Sequence, residues 1–155
     1  MAFGERVKKK LPKMKKNINY LDSVKELQFK KVEVQKILQQ IQKGDWKKQI
    51  NDIRYHLKNG NSVKASEIKS NLPAITISAT FKERRKKDYV DNYTGLLHLD
   101  YDKLENVEEV KANLISMPYT HAAFISPSGN GVKVLVKSDN AMSSHEVAFN
   151  SLREY

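Results

Sequence analysis

Two aspartates stand at alternate positions at the end of the segment GLLHLDYD, residues 95–102. If this segment is a strand, His98, Asp100 and Asp102 share one face, because alternate side chains of a strand point the same way. The two carboxylates would then lie about 6–7 Å apart, a spacing that suits one divalent cation between them. Such oxygen ligands predict Mg²⁺ or Mn²⁺, with nucleotide phosphates completing the coordination shell. The alternative is that both acids end a strand and start a turn, with Asp102 or Asn106 capping the next helix.

A glycine-rich turn follows in the segment ISPSGNGVKVLVK, residues 125–137. Its two glycines predict a tight hairpin between two strands, and they would also let backbone N–H groups approach a phosphate closely. A lysine on the strand after the turn would meet a triphosphate as a point charge, and serine hydroxyls would add donors. The predicted phosphate-binding residues are Ser126, Ser128, Gly129, Gly131 and Lys133. The alternative is a plain hairpin whose lysines face solvent.

The densest basic segment is KERRKKD, residues 82–88, which we predict to be a charged loop. Clustered lysine and arginine side chains bind the phosphates of nucleic acids. The predicted nucleic-acid-binding residues are Lys82, Arg84, Arg85, Lys86 and Lys87. The alternative is a solvated hinge loop.

Several other polar residues are weaker candidates. Arg54 lies near the apolar face of a predicted helix, and we hypothesise that it reaches the site from the helical layer. His98 shares the face of the aspartates and either orients a carboxylate or is an incidental, solvent-facing residue. His121 and His145 fit no metal-ligand spacing and are interpreted as surface or capping residues. Since no catalytic triad and no P-loop motif is evident, the sequence indicates neither a hydrolase nor a P-loop ATPase.

The first half of the chain is predicted to be mainly helical. Residues 1–16 are rich in lysine and are predicted to be a flexible basic arm, which either contacts phosphates or only improves solubility. A short strand at residues 18–21 and helices at residues 32–41, 46–57 and 62–69 follow from the spacing of apolar residues. Gly44 is predicted to end the first helix and Asp45 to cap the second. Trp46 is predicted to anchor the core of this helical layer rather than to stack on a base.

The second half is predicted to be richer in strands. Strands are expected at residues 74–81, 95–102, 121–126 and Val132–Lys137, and helices at residues 106–117 and 143–155. From residue 95 this order is β-α-β-β-α, which is the split βαβ (ferredoxin/RRM-like) motif without its last strand. We therefore predict an α+β fold and one domain over residues 17–155, which continues C-terminally in a longer protein. In this motif the first and third strands are neighbours, so Asp100, Asp102 and Lys133 would share one face.

Four segments occur in an order that resembles a known family. They are KSNLPAIT (69–76), FKERRKK (81–87), YTGLLHLDYD (93–102) and FISPSGNGVKVLV (124–136). Together they resemble the primase-like domain at the N-terminus of VirE-type mobile-element proteins, which often precedes a helicase-like ATPase domain. That domain is similar to the archaeo-eukaryotic primase and primase-polymerase superfamily. The resemblance covers residues 18–155.

The resemblance implies roles for particular residues. Asp100 and Asp102 match the metal-binding motif of the superfamily, so they are implied to be the metal ligands of a nucleotidyltransferase site. Lys133 occupies the position at which the superfamily has a phosphate-contacting histidine. A third acidic residue is implied on a later strand, after Tyr155.

Composition limits the classes of partner. The formal net charge is +10, which favours partners that carry phosphates, although a solvated lysine-rich surface is the alternative. The absence of cysteine excludes disulfides and cysteine-ligated metals and fits a cytoplasmic location. No apolar run approaches the roughly 20 residues that cross a bilayer, so no membrane partner is predicted. The basic N-terminus lacks the apolar stretch of a secretory signal.

Three functional hypotheses follow. The first is a primase-polymerase-like nucleotidyltransferase domain that binds nucleic acid and a nucleoside triphosphate through a carboxylate-held metal. The second is a non-catalytic module that binds single-stranded nucleic acid within a mobile-element replication protein. The third is a basic interaction domain without a nucleotide site.

Overall fold

The computed structural model of the protein describes residues 15–139 and 141–153, so most of the predicted basic arm lies outside the described residues. The described strands are β1 (Asn17–Leu21), β2 (Lys30–Glu33), β3 (Ala74–Thr76), β4 (Ala79–Phe81), β5 (Val90–Tyr93), β6 (Leu96–Tyr101), β7 (Thr120–Ile125) and β8 (Val132–Lys137). The described helices are α1 (Val34–Lys43), α2 (Lys47–Lys58), α3 (Ser62–Ser70), α4 (Val107–Ser116) and α5 (His145–Arg153). None of these helices is both long and apolar enough to cross a membrane.

The helical layer formed by α1, α2 and α3 follows the predicted pattern with small differences at the helix ends. Gly44 ends α1 in the left-handed conformation at φ 80°, and its N–H donates to Gln40 O at 3.0 Å, as predicted. The prediction that Asp45 caps α2 is wrong, because the N-cap position belongs to Trp46 and no side chain of the described residues makes a capping hydrogen bond there. Trp46 does pack against the small core between α2 and α3, as expected of an anchor.

The sheet of β6, β8 and β7 contains the predicted motif. Both β6 and β7 run antiparallel to the central strand β8, and α4 connects β6 to β7. This is the 1-3-2 strand order of a split βαβ unit, so the predicted α+β class and the β-α-β-β-α order are confirmed. The first and third strands of the unit are neighbours, as expected.

Each face of this sheet packs against a different layer. Apolar side chains at alternate positions of β6 and β8, such as Leu97 and Val134, face α4 and α5. On the other face, Leu96 and Leu135 join a buried cluster with Ile18 of β1 and Val34 of α1. The strand alternation therefore places the helical layer and the polar residues of β6 on the same side of the sheet.

The remaining strands form two small antiparallel sheets that the sequence predicted only in part. The strand predicted at residues 74–81 is two short strands, because β3 pairs with β1 whereas β4 pairs with β5. A bend between them is held by Thr76 Oγ1, which donates to Ala79 O at 2.7 Å. Strand β5 was not predicted. Val32, assigned to a helix from its spacing, lies instead in β2 opposite Ile18.

Candidate functional site

Asp100 and Lys133 form a directly opposed pair on neighbouring strands. The register of β6 and β8 sets Asp100 against Lys133, and Lys133 Nζ forms an ion pair with Asp100 Oδ2. The two side chains are 39% and 25% exposed, so the pair lies at the edge of the solvent rather than in the core. The predicted juxtaposition of the first and third strands therefore brings these two residues together.

Asp102 lies one residue beyond the end of β6 and is exposed. One of its carboxylate oxygens, Oδ1, lies 3.2 Å from the position that a Cβ at Gly131 would occupy. The turn after β7 is therefore close to the second aspartate. Both predicted metal ligands thus lie beside the first residues of β8, at one end of the sheet.

The turn between β7 and β8 is closed by its own hydrogen bonds. Gly129 N donates to Ser126 O at 2.9 Å, and Ser126 N donates to Gly131 O at 2.8 Å. The Ser126 and Ser128 hydroxyl oxygens lie 3.0 Å apart, and Ser128 Oγ donates to Asn130 Oδ1 at 2.7 Å. Ser126 is only 3% exposed. The Ser126 hydroxyl therefore forms a hydrogen bond inside the turn. The more exposed part of the turn consists of the residues between Ser126 and Gly131.

A neighbouring backbone atom requires the glycine at position 131, and the backbone conformation requires the one at position 129. A Cβ at Gly131 would lie 2.5 Å from Tyr101 O, a separation that Cβ atoms do not adopt without a shift of the backbone. A Cβ at Gly129, where φ is 86°, would lie 3.0 Å from Arg54 Nε. The glycines thus permit close contact of the turn with β6 on one side and with α2 on the other.

Arg54 reaches this turn from the helical layer, as hypothesised from the sequence. Its Nε donates to Pro127 O and its Nη2 donates to Ser126 O, both at 3.3 Å. These bonds join α2 to a turn more than 70 residues later in the chain. The guanidinium group thereby fixes the position of α2 relative to the turn beside Asp102.

His98 lies between the buried middle of the sheet and the aspartate end. It is opposite Leu135 and is half-buried. Burial, and to a smaller extent the Lys133 ammonium group, lower the pKa of His98 below its usual value, whereas Asp100 acts in the opposite direction. The imidazole is therefore held in its neutral form at neutral pH.

The two aspartates by themselves do not form an enclosed cation site. Among residues 15–139 and 141–153, no three His, Cys, Asp or Glu side chains are grouped closely enough to enclose a metal ion. Two carboxylates suit Mg²⁺ or Mn²⁺ only if water and substrate phosphates complete the shell. One oxygen of Asp100 already contacts the Lys133 ammonium, so a cation there would have to share that carboxylate.

Residues 67–155, more than half of the 155-residue chain, match the family described as BT4734-like, N-terminal domain. The chain belongs to this family. The matched segment of this BT4734-like N-terminal domain begins within α3 and includes Asp100, Asp102, Lys133 and the turn. Arg54 precedes it. No curated protein and no solved structure matches the chain.

The basic side chains of residues 82–87 in the BT4734-like N-terminal domain make no described contact with the two aspartates. Lys82, Arg84, Arg85 and Lys86 are exposed, as is Lys87, which begins a short 3₁₀ turn. The loop connects β4 to β5. Phe81 N of β4 donates to Asn19 Oδ1 of β1 at 2.6 Å, which links this pair of strands to the sheet of β1. In the described part of the chain, no hydrogen bond or ion pair links the five basic side chains to Asp100 or Asp102.

Two histidines have surroundings that the sequence did not indicate. The prediction that His121 is a surface or capping residue is wrong, because it lies within β7 and only 7% of it is exposed. Its Nε2 has no hydrogen-bond partner among the described residues. Burial, followed by the charges of Lys137 and Lys16, lowers the pKa of His121. His145 Nδ1 lies 2.9 Å from Tyr93 Oη, so it links α5 to β5. Short-range sequence patterns gave no signal for either contact, since both depend on the packing of distant segments.

Proposed function

We propose that this domain binds a nucleoside triphosphate together with Mg²⁺ or Mn²⁺ at Asp100 and Asp102, and that it acts as a primase-polymerase-like nucleotidyltransferase domain on nucleic acid. The observation that carries the proposal is the grouping of two carboxylates, one lysine and a glycine-rich turn at one end of β6 and β8. Phosphoryl transfer requires this combination, because carboxylates hold the cation and a lysine offsets the charge of the phosphates. The resemblance to VirE-type primase-like domains supports the same function.

Each side chain has a defined task in this proposal. Asp100 and Asp102 hold the cation, which when bound activates a primer 3′-hydroxyl and stabilises the leaving pyrophosphate. With Asp100 holding a cation, Lys133 would be released from that carboxylate and would contact the triphosphate instead. Gly129, Gly131 and the two serines set the shape of the turn beside the phosphates. The exposed basic loop, residues 82–87, contacts the nucleic-acid backbone.

A second candidate function is a non-catalytic module that binds single-stranded nucleic acid beside a helicase-like ATPase domain. The ion pair between Lys133 and Asp100 favours it, since this pair places an ammonium group at the carboxylate that a cation would need. In this case the carboxylates would position Lys133 rather than bind metal. Binding would depend on the net charge of +10 and would weaken with salt.

Calorimetric titration with dATP and Mn²⁺ distinguishes the two functions. Loss of a residue that only supports a metal ligand weakens metal binding roughly 10- to 100-fold. For a metal-dependent site, Asp100→Asn and Asp102→Asn should each weaken dATP binding by more than this. Asp45→Asn is the matched control, because Asp45 is an exposed aspartate outside the site. It should bind dATP like the wild type.

The opposite result identifies the second function. If the wild type binds no dATP with Mn²⁺, while single-stranded DNA binding survives or tightens in Asp100→Asn, the nucleotidyltransferase proposal fails. Tighter binding would be expected there, because the substitution removes a negative charge next to the strand.

A further inference from the structure

Helix α2, which Arg54 joins to the turn, carries a second group of residues on another side. Arg54 holds the helix against the Ser126 and Pro127 carbonyl groups, and its guanidinium fills the space over Gly129. Tyr55 is the next residue of α2. Its position relative to the turn is therefore fixed by the helix and by the hydrogen bonds of Arg54.

Tyr55 is unusually open for an aromatic residue. It is 65% exposed, although tyrosine rings normally contribute buried contact area. The His56 ring meets it edge-on, with the ring centroids 5.5 Å apart and the planes at 76°. Because the two planes are nearly perpendicular, the imidazole is not stacked flat on the phenol, and the largely exposed Tyr55 ring is available for stacking.

The charges around Tyr55 favour a polyanion. Lys48 and Lys58 lie seven residues before and three residues after Tyr55, which places them on the same side of the helix. Both are exposed. Over the whole of α2, four lysine and arginine side chains stand against one acidic side chain, Asp52. An exposed ring between two lysines is the combination that proteins use to bind single strands, where bases stack and phosphates meet cations.

We propose that Tyr55, Lys48 and Lys58 form a binding platform for single-stranded nucleic acid, with one base stacked on the Tyr55 ring. The platform, defined by these three residues, delivers the strand towards the turn beside Asp102. The inference rests on the proposed function, since it names the surface that holds the strand on which that site would act. The alternative ligand of this surface is a protein that contacts Tyr55. Measurements of nucleic-acid binding test which of the two ligands is correct.

Fluorescence anisotropy with labelled dT12 and rU12 tests the platform on the full chain. Tyr55→Ala should weaken binding of one or both strands about tenfold, which corresponds to the loss of one stacked base. Tyr55→Phe should stay within about twofold of the wild type, because it keeps the ring. Tyr119→Ala is the matched control, since Tyr119 is also exposed but lines a cavity with Leu99 and Leu114 on the other face of the sheet. It should bind like the wild type.

The salt dependence separates stacking from charge. Lys48→Gln and Lys58→Gln should each reduce the slope of log K against log salt by about 0.7, whereas Tyr55→Ala should leave the slope unchanged. Irradiation of a strand that carries 5-iodouracil should cross-link Tyr55. Binding by Tyr55→Ala within twofold of the wild type, or no strand binding by the wild type, overturns the inference.

Failure of the platform and failure of the nucleotide site give different results. Tyr55→Ala should bind dATP and Mn²⁺ like the wild type, because Tyr55 lies outside the aspartate site. If the wild type binds no dATP but Tyr55→Ala still loses strand affinity, the nucleotidyltransferase proposal fails and the platform stands.

Discussion

Two groups of basic side chains on this domain differ in how the fold holds them. Lys133 stands opposite Asp100 in the register of two strands, and Arg54 donates to two carbonyl groups of the turn. The five basic residues between Lys82 and Lys87 carry more charge, yet their side chains are exposed on a loop. Charge density along the sequence therefore indicates where a polyanion can be attracted, whereas register and hydrogen bonding decide where a charge is held precisely enough for chemistry.

The largest expected effect concerns the packing that holds the first group. Gly131→Ala should lower the free energy of unfolding by about 3 kcal/mol, at the upper end of overpacking costs, because the new Cβ would lie 2.5 Å from Tyr101 O. Gly60→Ala is the control, since a Cβ there meets no atom within 4 Å and φ is 73°. It should lose about 1 kcal/mol from backbone strain alone. Urea unfolding measures both, and equal losses would show that the turn does not depend on close contact with β6.

A smaller effect is expected for the charge pair itself. A double-mutant cycle of Asp100→Asn and Lys133→Gln should give a coupling free energy of about 0.5–1 kcal/mol, because the pair is partly shielded from solvent. The pair of Lys64 and Glu67 on α3 is the control, with side chains 48% and 57% exposed. Its coupling should be smaller, because both side chains are more exposed to solvent than those of Asp100 and Lys133. If urea unfolding gives the same coupling for both pairs, Lys133 is held no better than a surface lysine.

The smallest effect on stability is expected in the basic loop. Arg84→Gln combined with Arg85→Gln should change the free energy of unfolding by less than about 0.5 kcal/mol, because both side chains are exposed and lack described partners. The same variant should reduce the salt slope of single-strand binding by about 0.7 for each phosphate that the loop no longer neutralises. A loss of stability above about 1 kcal/mol would contradict the comparison, since it would mean that the fold relies on these charges.

Local patterns in the sequence determined much of the sheet and helices. The alternation in residues 95–102 and Val132–Lys137 predicted two strands with one apolar face, and α4 and the glycine at the end of α1 were also predicted correctly. These features depend on residues within a few positions of one another, and the pleat of a strand fixes which side chains share a face. The neighbouring positions of Asp100 and Lys133 followed from the β-α-β-β order.

Tertiary structure alone decided which distant segments meet. The division of residues 74–81 into β3 and β4 depends on pairing with β1 and β5, and a three-residue strand has too few side chains to show a period. The burial of His121 likewise comes from segments far along the chain. The sequence suggested that Arg54 reaches the site but not that it contacts Gly129, because a glycine gives no sign of what occupies the space of its absent side chain. That space is taken by Arg54, whose helix reaches the turn only when the apolar faces of the helical layer and the sheet have packed.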